Sequence, residues 1–281
     1  MPRFAANLHY LFSEVPFLDR FAVAADCGFR GVEFQVPYDH PPSELSARLR
    51  AHDLEMVLFD APMGDWKAGD RGLAAVPGRE TAFRASLDQI PPYAEAMGCD
   101  TVHVMAGVVP PGADYATAER TYLDNLAYAA RFLEHHGVRA VIEPINRRMG
   151  IVRNGPSYTT EGMHGYFLNH TEHARRVIEA VGHANLALHL DCYHMQVLEG
   201  HLADTIRDNI GLVRHFQIAG VPGRHEPDVG EIHYPYLFDL IDSLGYRGWI
   251  GCEYRPRGDT RAGLGWAAAY GIARRVPTDH P

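Results

Sequence analysis

Eight short β-rich runs, each handed on to a longer helical stretch, repeat from one end of the chain to the other, and this alternation constrains the fold more than any other feature. The runs are residues 4–8, 31–35, 56–61, 101–107, 140–146, 186–194, 213–219 and 249–255, each followed by a polar or Gly/Pro-bearing loop. Strands separated by helical crossovers pair in parallel. Eight such units without a break in composition favour a closed barrel over an open, doubly wound sheet, and 281 residues is an ordinary length for one. The expectation is therefore an α/β fold, a single-domain (β/α)8 TIM barrel spanning residues 1–281.

Local signals agree with that frame. Ser13 is placed to cap the first helix, Pro16 suits its first turn, and Gly28 can end it in the left-handed conformation. The run Cys27-Gly28-Phe29-Arg30-Gly31-Val32 is echoed by Leu244-Gly245-Tyr246-Arg247-Gly248-Trp249, as equivalent helix-to-strand loops would be. Pro91-Pro92 interrupts the apolar pattern of residues 81–97 and predicts a kinked or split helix there. Residues 147–166, with Gly150, Gly155, Pro156, Gly162 and Gly165, form a long loop after the fifth strand, expected at the barrel mouth or in the subunit interface of a homo-oligomer.

Charge and cysteine usage narrow the partners. Lys and Arg number 26 against 35 Asp and Glu, a net charge of −9, with no basic run able to track a phosphate backbone, so nucleic acid is not an expected partner. Cys27, Cys99, Cys192 and Cys252 form no Cys-x-x-Cys pair. No stretch approaches the ~20 apolar residues of a membrane helix, and Met-Pro-Arg-Phe-Ala-Ala-Asn lacks the layout of a secretory signal, so a cytoplasmic chain without membrane contact is expected.

In an α/β barrel the chemistry sits at the C-terminal ends of the strands. Four consecutive runs place an oxygen-bearing side chain there at similar depth: Glu143, Asp191, Gln217 and Glu253. Three carboxylates converging in a barrel mouth repel one another and lose hydration unless a cation joins them. A divalent ion resolves that conflict, and an all-oxygen ligand set suits Mg2+ or Mn2+ better than zinc.

Phe4-Ala5-Ala6-Asn7-Leu8, Gly28-Phe29-Arg30-Gly31-Val32-Glu33-Phe34, Pro77-Gly78-Arg79-Glu80, His103-Val104-Met105-Ala106-Gly107, Ile142-Glu143-Pro144-Ile145-Asn146 and Glu253-Tyr254-Arg255-Pro256 resemble segments of hydroxypyruvate isomerases, within the xylose-isomerase-like barrel superfamily. The most specific segment is Pro222-Gly223-Arg224-His225-Glu226-Pro227 with Gly230-Glu231-Ile232 downstream, and the resemblance covers nearly the whole chain. It implies one metal on Glu143, Asp191, Gln217 and Glu253, with Glu143 and Glu253 also serving as catalytic acid and base. The implied reaction converts hydroxypyruvate to tartronate semialdehyde through an enediolate.

Three carboxylates and one dication leave the site near −1, so a carboxylate substrate needs a further cation. Arg224, seven residues past Gln217, is the candidate, since its planar fork suits a carboxylate. His194, three residues past Asp191, is a second candidate substrate ligand, by the Asp-x-x-His spacing of related sugar epimerases. His189 and His215 share the inward face one layer below the ligands, where they either orient ligands or fill the core. Cys192 and Cys252 are expected to pack under the helices, and Trp66 and Lys67 lie in a loop able to cover the site. The length of residues 147–166 keeps a 2-oxo-tetronate isomerase or a ketose 3-epimerase open as alternatives. A DNA-repair endonuclease barrel is opposed by the net charge and by Gln in the ligand set, and a non-catalytic sugar-binding barrel by the paired glutamates.

Overall fold

The β-rich runs become eight parallel strands in a computed structural model of the chain, which describes residues 1–110, 112–148 and 163–272. They are β1 (Arg3–Asn7), β2 (Gly31–Glu33), β3 (Glu55–Asp60), β4 (Thr101–His103), β5 (Arg139–Ile142), β6 (Leu186–Asp191), β7 (Val213–Ile218) and β8 (Trp249–Cys252). Each pairs with the next, and β1 pairs with β8 to close the barrel. Helices cover the outside, so the strands are buried on both faces and their sequences read as nearly continuous apolar runs.

The predicted strands start within one residue of the observed ones but overrun at their C-terminal ends. Strands β4, β5, β6 and β8 stop at His103, Ile142, Asp191 and Cys252, so Glu143 and Glu253 each lie one residue past a strand. His194, expected on the sixth strand, sits instead on the helix Cys192–Leu198. That strand ends because Asp191 caps the helix, its carboxylate accepting from Tyr193 N at 2.8 Å. Apolar content alone cannot mark such a handover.

Pro91-Pro92 acts as expected: the segment splits into Glu80–Leu87 and Ile90–Met97, with both prolines near the start of the second helix, where a missing N–H costs nothing. Ser13 does not cap the first helix. Pro16 precedes a single 3-10 turn, Phe17–Asp19, which runs into the helix Arg20–Asp26 without any side-chain cap.

Inside the barrel the alternation of period two builds layers. Ala5, Val57, Leu58, Val141 and Ala187 form a small apolar plug, with Trp249 packed against it. Two residues further along the chain stand the buried polar side chains Asn7, Glu143 and His189, with Glu33, His215 and Gln217 alongside. The four cysteines are unpaired and buried, as small apolar side chains would be. Of the long loop 147–166, residues 149–162 lie outside the described residues, and with them the expectation that it covers the mouth. Its two ends meet beside the site, where Met163 N donates to Asn146 O at 2.8 Å.

Candidate active site

The strand-end residues come together in one buried cluster at the C-terminal mouth. Glu143, directly after β5, places Oε1 3.8 Å from His194 Nε2 and Oε2 3.7 Å from His103 Nδ1 and 3.8 Å from His189 Nδ1. Among the described residues Glu143 Oε1 has no hydrogen-bond partner although it is buried. Asp191 turns Oδ2 to Arg224 Nη2 at 3.0 Å and to His194 Nε2 at 3.5 Å. His194 is fixed from behind by Asn146 at 2.7 Å. Glu253 is held by Arg224 on one oxygen and by the Gln35 amide on the other.

Gln217 has a fixed orientation. Its amide nitrogen donates to Glu33 Oε1 at 2.7 Å, which leaves the carbonyl oxygen as the end available to a cation. Glu33 also accepts from Asn7 at 3.0 Å and meets His215 Nε2 at 2.7 Å. Room for this carboxylate comes from Gly251, where a Cβ would lie 2.3 Å from both Glu33 oxygens. Gly251→Ala should therefore displace Glu33 and release the Gln217 amide, so that a divalent ion held on the Gln217 carbonyl would bind about 10–100-fold more weakly. Calorimetric titration with Mn2+ checks this, and an unchanged affinity would detach Glu33 from the site.

Arg224 is driven into the mouth by the loop after β7. The loop folds back on itself through Gly220 N to His225 O at 2.8 Å and Glu231 N to Val221 O at 2.8 Å. Gly230 permits this approach, since a Cβ there would meet Val221 O at 2.1 Å. Arg224 itself takes φ +56°, a conformation most side chains avoid and which surrounding contacts must hold. Its guanidinium lies 5.0 Å and 4.9 Å from the rings of Tyr10 and Tyr193 and donates to the Tyr10 hydroxyl at 2.9 Å. Arg224 is thus a buried cation shared by two carboxylates and framed by two aromatic rings.

Burial dominates the electrostatics. It raises Glu143 well above the usual carboxylate range, with Asp191 and Glu253 adding to the effect, and raises Asp191 against the opposing charge of Arg224. Glu253 is pushed up to about 8, again by burial outweighing Arg224. The same desolvation, with the charge of Arg224 next, holds His194 well below its ordinary value, so it stands as a neutral imidazole. Arg224 would be lowered by burial, but Glu253, Tyr10 and Asp191 raise it instead. Protonating a buried carboxylate and binding a cation are two ways to relieve the same repulsion.

The cavity above these groups is small, about 40 Å³, room for an ion and a few water-sized groups. Trp66, Met63, Met105, Ile145 and Met163 form its apolar wall. Trp66 therefore faces the site, whereas Lys67 is exposed and does not line it. Sequence reasoning passed over Glu33, Asp60, His103, Tyr10 and Gln35, all of which line the cavity. Asp60 ends β3 and the strand-end rule could have found it. Glu33 and His103 lie on strands of three residues, too short to show an inward face.

Comparison with known proteins agrees over nearly the full length. The chain is 53% identical to the 2-oxo-tetronate isomerase of Cupriavidus necator over 270 residues, 96% of this chain and 99% of the relative. It is 43% identical to the hydroxypyruvate isomerase of Escherichia coli over 270 residues, 96% of this chain and all of the relative. A solved structure described as an AP endonuclease of family 2 from Brucella melitensis superposes with a TM-score of 0.89 at 47% identity, covering 96% of this chain and all of that one. With residues 21–270 also matching the family model, the chain belongs to the xylose isomerase-like TIM barrel family.

Proposed function

We propose that this barrel is a divalent-metal isomerase of short 2-oxo-3-hydroxy acids, moving a proton between the two carbons that carry the oxygens. The carrying observation is the convergence of Glu143, Asp191 and Glu253, all buried, with the Arg224 guanidinium between two of them. Orphaned Glu143 Oε1 and the oriented Gln217 carbonyl fit a hard cation. A bound Mg2+ or Mn2+ would supply Lewis-acid polarisation of the carbonyl and charge neutralisation.

The chain's own residues do the remainder. Arg224 is the group to meet the substrate carboxylate, a contact that requires it to loosen its hold on Asp191 or Glu253 once a cation shares their charge. His194, neutral and anchored by Asn146, can donate to or accept from a substrate oxygen. One of Glu143 and Glu253 removes the proton beside the carbonyl, and the other delivers one to the neighbouring carbon. The apolar wall and deep burial keep water from the charged groups.

Hydroxypyruvate carries the reacting unit this reading requires, and so does 2-oxo-tetronate, with one more hydroxymethyl group. The higher identity to the 2-oxo-tetronate isomerase, 53% against 43%, favours the longer acid as a second reading. Incubating the protein and Mg2+ or Mn2+ with both acids and with a panel of ketoses should give turnover of an acid that stops on chelation. Turnover of ketoses alone would overturn the proposal.

A further inference from the structure

We propose, resting on the isomerase reading above, that Asp60 and His103 bind the terminal hydroxyl of a four-carbon 2-oxo acid and so select 2-oxo-tetronate over hydroxypyruvate. Both side chains are buried, at 5% and 3% exposure, and both line the cavity that Arg224, Glu143 and Glu253 share. Neither the proton transfer nor the carboxylate contact uses them.

The closed strand order puts this pair at the far end of a bound acid. Asp60 ends β3 and His103 ends β4, whereas Arg224 follows β7 and Glu253 follows β8. In a ring of eight strands β3 faces β7 and β4 faces β8. An acid with its carboxylate on Arg224 therefore extends its other end towards Asp60 and His103. Charge sets the same direction, since the guanidinium attracts an acid group and the Asp60 carboxylate repels it. In hydroxypyruvate the carboxylate and the two reacting carbons account for the whole chain. In 2-oxo-tetronate one hydroxymethyl group remains, and it points to this end.

The donors and acceptors fit an alcohol. Met63, Trp66 and Met105, which follow the same two strands, make the neighbouring wall apolar, and a carboxylate among them is costly unless hydrogen-bonded. His103 supplies one donor, for its Nδ1 lies 3.2 Å from Asp60 Oδ1, nearer than Glu143 Oε2 at 3.7 Å. Among the described residues the Asp60 carboxylate accepts from His103 alone, and His103 Nε2 is buried without a partner. With the ring proton on Nδ1, the pair offers the second Asp60 oxygen and Nε2 as acceptors, and no donor. An alcohol O–H answers that need, whereas a methyl group would leave it unmet. A few placed polar groups on an otherwise apolar wall are how small-ligand sites fix orientation.

The test compares kcat/KM, with Mg2+ present, for 2-oxo-tetronate, hydroxypyruvate and 2-oxo-3-hydroxybutanoate, the four-carbon acid with a methyl group in place of the hydroxymethyl. The unaltered protein should prefer 2-oxo-tetronate to the methyl analogue about 10–100-fold, the range of one hydrogen bond to a charged group. Asp60→Ala should abolish that preference, by cutting kcat/KM for 2-oxo-tetronate and lowering it far less for hydroxypyruvate. His103→Leu should reduce the preference in part, because Asp60 remains without the donor that orients it. If a variant fails to fold, the methyl analogue with the unaltered protein still decides. Equal kcat/KM for the two four-carbon acids overturns the hydroxyl site, and so does a preference that survives Asp60→Ala. Absence of turnover of both hydroxypyruvate and 2-oxo-tetronate by the unaltered protein overturns the isomerase reading itself, and this site with it.

Discussion

Arg224→Ala should be the most damaging single change to the metal-free protein, costing about 3–5 kcal/mol of stability, because it strands two buried carboxylates without their counter-charge. In a chain of this size that is a fall in Tm on the order of 10 °C. Saturating Mn2+ should recover part of it, about 2.7 kcal/mol at a hundredfold excess over Kd, since the ion binds the folded state alone. Kinetically, KM for the acid substrate should rise about 10–100-fold through loss of a charge-assisted, bidentate contact. Lysine should restore charge without the fork and recover only part. Thermal melts with and without Mn2+, beside steady-state kinetics, separate the two roles. A variant with unaltered stability and KM would remove Arg224 from both.

Glu143→Gln and Glu253→Gln should each lower kcat about 10²- to 10⁴-fold while weakening metal binding far less, because an amide oxygen still coordinates but accepts no proton. Burial raises the proton affinity of both glutamates in the metal-free site, Glu253 to about 8. Mn2+ calorimetry alongside kcat for the acid substrate distinguishes a lost base from a lost ligand. Turnover near wild type in either variant would remove that residue from the acid/base pair.

The fold was legible because each βα unit repeats one strong signal, apolar strand followed by amphipathic helix, and errors in one unit are corrected by seven others. Strand ends were the weak point. Asp191 belongs to the strand by ladder and to the following helix as its cap, so no periodicity separates the two states. Glu143, Asp191, Gln217 and Glu253 stood out because the barrel rule weights strand ends. Glu33 did not, although it orients Gln217 from across the barrel: its partners Asn7, His215 and Gln217 come from two other strands. Contacts between positions 26 and 184 residues apart exist only once the barrel closes.

The position of Arg224 was legible as a residue in the loop after β7, but its burial was not. A sequence shows a cation seven residues past a ligand; only the folded loop shows it seated between Tyr10 and Tyr193, already paired with Asp191 and Glu253. That pairing makes the guanidinium both internal counter-ion and candidate substrate anchor.

The most direct measurement is the fate of the migrating proton, followed by NMR of the product formed in D2O with Mg2+ present. Two glutamates acting in turn should place one deuterium from solvent on the carbon that was the carbonyl of the 2-oxo acid, and chelation should abolish both product and label. Product formed without deuterium would mean direct hydrogen transfer between the two carbons, contradicting proton transfer through Glu143 and Glu253.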